Sequence, residues 1–113
     1  MHELRIAEDL TQIVLETAKA SRLKRVTEVN VVFGQLVQIV PEIFEAAFRE
    51  CARGTAADNA SVNIEIRAVL MRCIKCGCDF EVQENSFVCQ CGSSDLEIIS
   101  GKELFVKSME GEQ

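Results

Sequence analysis

Six cysteines are the side chains best equipped for chemistry, and five of them fall between positions 73 and 91. They read Cys73-Ile74-Lys75-Cys76-Gly77-Cys78 and, after twelve residues beyond Cys76, Cys89-Gln90-Cys91-Gly92. Two close pairs carried on two turns make a tetrahedral thiolate cage once a short hairpin brings them together. Gly77 and Gly92 follow the second cysteine of each pair, where a turn around a metal needs a residue tolerant of positive φ. Four soft thiolates in a closed tetrahedron suit zinc. The expectation is therefore a structural Zn²⁺ on Cys73, Cys76, Cys89 and Cys91. The second pair is C-x-C, one residue shorter than the usual C-x-x-C, so Cys78 competes for one position. Iron at the same four sulfurs is the chemical alternative, and reduced thiols with no metal are the plain one. Cys51 stands apart on an apolar stripe and reads as a small buried hydrophobe.

The only histidine, His2, directly follows Met1. Together they offer three nitrogens: the terminal amine, the His2 amide and a ring nitrogen of His2. Glu3 can supply a fourth donor through its amide or carboxylate. Nitrogen-rich planar donors suit Ni²⁺ or Cu²⁺ far better than Mg²⁺ or Ca²⁺. Such a site loses protons as it loads, so its affinity falls as pH drops toward the histidine pKa of about 6.5. The plain alternative is a frayed, solvated terminus ahead of a helix.

These groups need a scaffold. Ile6, Leu10, Ile13, Val14, Thr17 and Ala20, with Leu4 and Ala18 beside them, recur at helical spacing opposite Glu8, Asp9, Gln12, Glu16 and Lys19, predicting a helix over 4–20. Residues 26–33 alternate around Val29, Val31 and Phe33, a strand pattern ending at Gly34. Gln35 to Val40 extends that strand or forms a loop. Pro41 suits the first position of a helix. Ile43, Phe44, Ala47, Phe48 and Cys51 mark its apolar stripe over 42–53, and Gly54 is a stop. Ala56 to Ala60 reads as a polar connection of small residues. Val62, Ile64 and Ile66 predict a second strand, Leu96, Ile98 and Ile99 a short one, and Leu104 with Val106 a last one after a turn at Gly101. Two helices can cover one face of a small sheet, so the expected class is α+β. That small mixed α/β part, 1–70 plus 100–113, carries an inserted zinc-ribbon-like lobe over 71–99. The lobe has only Phe80, Val82, Phe87 and Val88 to pack, so its metal supplies its folding energy.

The whole-chain balance narrows function. With 113 residues there is room for one compact domain or a small domain with an insert. Twelve Lys/Arg against eighteen Asp/Glu give a net charge of −6, which disfavours a surface built for phosphates. No apolar run is long enough to span a bilayer. The start shows no basic segment followed by an apolar block, which places the chain in the cytosol. There clustered thiols read as metal ligands before disulfides.

The opening Met1-His2-Glu3-Leu4 resembles that of the HypA/HybF hydrogenase maturation family, as do Gly34-x-Leu36 with Pro41-Glu42, the C-x-x-C block, and the ending Cys91-Gly92-Ser93 to Gly101-Lys102-Glu103-Leu104. The resemblance covers essentially the whole chain. It implies a nickel carrier in which His2 binds Ni²⁺ with support from Glu3, while the zinc lobe maps to Cys73, Cys76, Cys89 and Cys91. It further implies a GTPase maturation partner, delivery to the hydrogenase large subunit and, in some members, service to urease. Cys89-Gln90-Cys91 departs from the family's usual C-x-x-C and puts the fourth zinc ligand in question. No nucleophile–base pair or phosphate loop is present, so no catalysis is expected. Two other classes compete: a zinc-ribbon adaptor for protein or nucleic acid, and a dithiol redox protein using Cys73 and Cys76. The acidic balance weighs against nucleic acid. A second cysteine pair weighs against a thioredoxin-like site. A monomer or a weak homo-oligomer fits equally.

Overall fold

The computed structural model describes residues 2–83 and 86–113, apart from the side chain of His2. Helix α1 spans His2–Ala20 and helix α2 spans Pro41–Ala52. Six strands follow in chain order around them: β1 Arg25–Gly34, β2 Ser61–Arg67, β3 Leu70–Cys73, β4 Asp79–Glu81, β5 Leu96–Ser100 and β6 Leu104–Glu112. They form two three-stranded sheets, ordered β2-β1-β6 and β4-β3-β5. The molecule is elongated, 54 × 27 × 17 Å.

α1 buries Ile6, Ala7, Leu10, Thr11, Val14 and Ala18, a stripe at i, i+3 and i+4 spacing. The expected stripe was turned too far toward Leu4, Ile13, Thr17 and Ala20, all of which are exposed. Ala18 is buried as expected, and the small residues Ala7 and Thr11 also face inward, because α1 meets both a sheet and α2 and bulk would hold them apart. The helix ends in a Schellman motif: the Leu23 N–H bonds the Ala18 carbonyl at 2.8 Å and the Arg22 N–H bonds Lys19 at 3.2 Å. Arg22 accordingly adopts φ 59°, a left-handed cap made without glycine.

β1 is the central strand, buried over most of its length, as its run of Val and Phe requires. β2 lies parallel to it, with Val31 opposite Ile64, and β6 lies antiparallel. A parallel pair needs a crossover, and α2 supplies it. Pro41 sits in the first turn of α2. The residues between β1 and α2 form a single 3₁₀ turn over Gln35–Val37 rather than more strand. Phe33, Phe44 and Phe48 lie at the centre of the core, with Phe44 edge-on to Phe33 at 4.8 Å between ring centroids. The 56–60 connection is less polar in its role than its sequence suggests. Ala57 and Ala60 are buried in this core, and the Ala56 carbonyl accepts the Val26 N–H.

The second sheet differs from the expected order of helix, strand, helix, strand, metal insert, strand. β3 and β4 are additional strands, and β5 pairs with β3 rather than joining the helix-covered sheet. Within 70–100 only Met71, Cys73 and Cys89 are buried among the described residues, while Phe87 and Val88 are exposed. Such a sheet has almost no apolar core.

The two sheets meet at a backbone junction. The Gly34 N–H bonds the Glu103 carbonyl at 2.8 Å, and the Leu36 N–H bonds the Gly101 carbonyl at 2.9 Å. The Ser100 hydroxyl donates to the Ala68 carbonyl, and the Gly101 N–H donates to the Glu103 carboxylate at 2.7 Å. Gly101 has φ 116°, and a side chain there would also press on the Val69 backbone. The Gly34-x-Leu36 and Gly101-Lys102-Glu103 segments are therefore in direct contact.

Candidate metal centre

Cys73 ends β3, and the turn after it closes around its sulfur. The Gly77 N–H bonds the Cys73 carbonyl at 2.8 Å, and the Cys76 N–H points at the Cys73 Sγ at 3.5 Å. The second turn repeats this plan: the Gly92 N–H bonds the Cys89 carbonyl at 2.8 Å, and the Cys89 N–H bonds that of Ser93. Gly77 and Gly92 take φ values of 78° and 88°. A bond from the Ile74 N–H to the Asp95 carbonyl, 3.0 Å, holds the turns together, and β5 then pairs with β3. Cys73 and Cys89 face inward, whereas Cys76 and Cys91 are exposed.

The ligand atoms of Cys73, Cys76, Cys89 and Cys91 all lie within 4.8 Å of one another. Cys73 and Cys91 are 3.6 Å apart at sulfur, and Cys76 and Cys89 are 3.4 Å apart. These separations are too long for disulfides, and all six cysteines are free thiols. A tetrahedron with metal–sulfur bonds of about 2.3 Å has edges of about 3.8 Å, so the donor set fits zinc in both chemistry and size. The short pair Cys89-Gln90-Cys91 thus places both of its sulfurs in one group. Cys78 lies outside the group but lines the same cavity as Cys76, Cys89 and Cys91.

Proton affinities within the group are strongly split. The Cys76 N–H, aimed at the Cys73 sulfur, is the main reason that its pKa drops to about 6; burial opposes this, and the Cys76 and Cys91 thiols and the Lys75 N–H assist. At Cys89 the Cys91 N–H favours the thiolate. Burial and the neighbouring sulfurs of Cys76, Cys91 and Cys73 outweigh it and push the pKa up to about 12. Four crowded sulfurs cannot all ionise without a cation to share their charge. Cys51 is half-buried on the helical core, its pKa raised by burial and by Glu8 and Glu50 against the Thr11 hydroxyl.

The second candidate centre is at the start of α1. Met1 and the imidazole of His2 lie outside the described residues. Glu3 is described: its carboxylate accepts the Val40 N–H at 3.2 Å. Val40 is the N-cap of α2, which has no side-chain cap of its own. Glu3 therefore anchors the beginning of one helix to the beginning of the other. Nothing in the local sequence signals this contact between residues 37 positions apart.

Residues 1–111 match the family model described as "Hydrogenase/urease nickel incorporation, metallochaperone, hypA". The chain is 36% identical over 111 residues to a hydrogenase maturation factor HypA of Aquifex aeolicus, covering 97% of this chain and 96% of that protein. It is 33% identical over 113 residues to the HypA of a Nostoc species, covering 100% and 97%. The solution structure of the nickel metallochaperone HypA from Helicobacter pylori superposes with a TM-score of 0.72, covering 99% of this chain and 98% of that one at 24% identity. That likeness shows the same fold. The four-cysteine cluster and the sequence match over residues 1–111 agree, and the chain belongs to the HypA family of metallochaperones for nickel incorporation.

Proposed function

We propose that this chain binds Ni²⁺ at its N-terminus as cargo and delivers it during maturation of [NiFe]-hydrogenase, while a structural Zn²⁺ holds a separate lobe. The match of residues 1–111 to the family model carries this reading. In it the amine of Met1, the amide and ring nitrogens of His2, and Glu3 form the nickel site. The His2 amide belongs to the first turn of α1, where the helix itself supplies no acceptor. Cys73, Cys76, Cys89 and Cys91 hold zinc, whose charge lets the four sulfurs stay ionised together. The chain divides into a nickel-binding part, 1–70 plus 100–113, and a zinc lobe, 71–99.

Two physical demands support the division of labour. A carrier must release its ion, and open nitrogen ligands at a chain end allow stepwise ligand exchange with a recipient. A closed thiolate cage fixes two turns and substitutes for a core. The partners that follow are a GTPase maturation protein, the hydrogenase large subunit and, in the broader family role, urease maturation factors. The chain itself carries out no catalysis, works in the cytoplasm, and acts as a monomer or weak homo-oligomer without nucleic acid or membrane. No helix among the described residues is long and apolar enough to cross a bilayer.

The test is a nickel titration of untagged protein with its zinc content measured in parallel. His2→Ala loses most nickel binding while zinc content and helicity stay. Acetylation of the terminal amine has the same effect. Nickel affinity unchanged in both would remove the N-terminal site.

A further inference from the structure

The fifth cysteine of the lobe, Cys78, has no task in the reading above, and it lies outside the four-sulfur group but lines the same cavity. Cys76-Gly77-Cys78 has the same one-residue spacing as Cys89-Gln90-Cys91. That second segment places both of its sulfurs within the four-sulfur group, so one intervening residue is enough to bring two thiols into one cluster. The Cys78 backbone is fixed beside the cage, because its carbonyl accepts the Cys73 N–H at 2.9 Å. Its side chain is exposed and lines the cavity that Cys76, Cys89 and Cys91 also line. Cys73, next to Cys78 through that bond, has Cys91 as its near sulfur neighbour at 3.6 Å, and Cys91 is on the exposed side.

We propose that Cys78 is an alternate zinc ligand that replaces Cys91, giving a second four-thiolate set of Cys73, Cys76, Cys78 and Cys89. The inference rests on the zinc reading of the cage. In the exchange, the Cys78 thiol gives up its proton and its sulfur bonds the ion as the Cys91–zinc bond breaks; Cys91 takes up a proton from water. Zinc stays Zn²⁺, four thiolates are bound before and after, and no oxidant is needed. The buried pair Cys73 and Cys89 stays in place throughout. The lobe thereby gains a route by which the ion can pass to a competing ligand without losing two bonds at once.

Cobalt(II) substitution of the full chain tests this, because the sulfur-to-cobalt charge-transfer intensity scales with the number of bound thiolates. Wild type and C78S should each show four. C91S should still show four, and C78S/C91S should fall to three. C91S already at three overturns the role of Cys78 and leaves the cage reading intact; wild type below four overturns both. Should C91S fail to fold, zinc transfer from the intact wild-type cage to excess EDTA decides. The expectation is transfer several-fold slower in C78S than in wild type, and equal rates overturn the proposal.

Discussion

The Glu3 carboxylate accepts a hydrogen bond from the Val40 N–H at 3.2 Å, tying the first turn of α1 to the N-cap of α2. Thr11 meets Cys51 farther along, so the two helices run side by side in the same direction. Their starts lie together, and a carboxylate at that end suits the positive ends of both helix dipoles.

Replacing Glu3 therefore separates anchoring from charge. Glu3→Ala should lower stability by about 1 kcal/mol, the worth of one hydrogen bond with some loss of dipole compensation. Glu3→Gln keeps an acceptor for Val40 and should lose less. Chemical denaturation of the nickel-free protein reads the first effect, and nickel titration shows how far a loosened helix start weakens cargo binding. Equal stability of wild type and Glu3→Ala would mean that the contact does not anchor α1.

The junction between the sheets makes a sharper prediction. A methyl group on Gly34 would overlap the Gly101 carbonyl and crowd the Lys102 amide. These are backbone atoms on both sides, held by the Gly34–Glu103 and Leu36–Gly101 bonds. Gly34→Ala should cost about 3 kcal/mol or more, at the high end of single substitutions. Thermal unfolding measures it, and a variant within 1 kcal/mol of wild type would show that the junction yields easily.

Metal removal should act on one sheet before the other. The helix-covered sheet has its own core of Phe33, Phe44, Phe48 and the valines of β1, whereas β3, β4 and β5 bury little beyond Met71, Cys73 and Cys89. Cys73→Ala, or chelation of zinc, should raise hydrogen exchange over 70–100 strongly and leave α1, α2 and β1 protected. Uniform loss of protection along the chain would contradict a division into two cooperative parts.

Zinc loading should strengthen as pH rises. Binding needs thiolates, and Cys89 keeps its proton up to about 12 in the metal-free cage, so the ion must displace that proton across the whole working range. Cys73, with a pKa near 6, is already ionised at pH 7 and becomes a further proton to displace only below about 6. The slope of log affinity against pH should therefore be positive throughout and steeper below pH 6. Proton release measured by calorimetry in two buffers checks it; a flat dependence between pH 6 and 8 would rule the split out.

Periodicity and local chemistry make much of the chain legible in its sequence. The amphipathic run behind α1, Pro41 at the start of α2 and the alternation of Val62, Ile64 and Ile66 in β2 each carry their signal within a few residues, because local backbone geometry sets where side chains point. Cysteine spacing likewise announces metal chemistry, since a ligand must be a thiol whatever surrounds it.

What lay beyond reach was decided by distance. β3 and β4 are four and three residues long, too short for a period, and exist because the cysteine turns and β5 hold them. The inward turn of Ala7 and Thr11 depends on how closely α2 packs. The parallel pairing of β1 with β2, the Gly34–Gly101 contact and the Glu3–Val40 anchor all join residues far apart along the chain. Contacts of that kind leave no mark in neighbouring residues, because their energy comes from whichever surfaces the completed packing brings face to face.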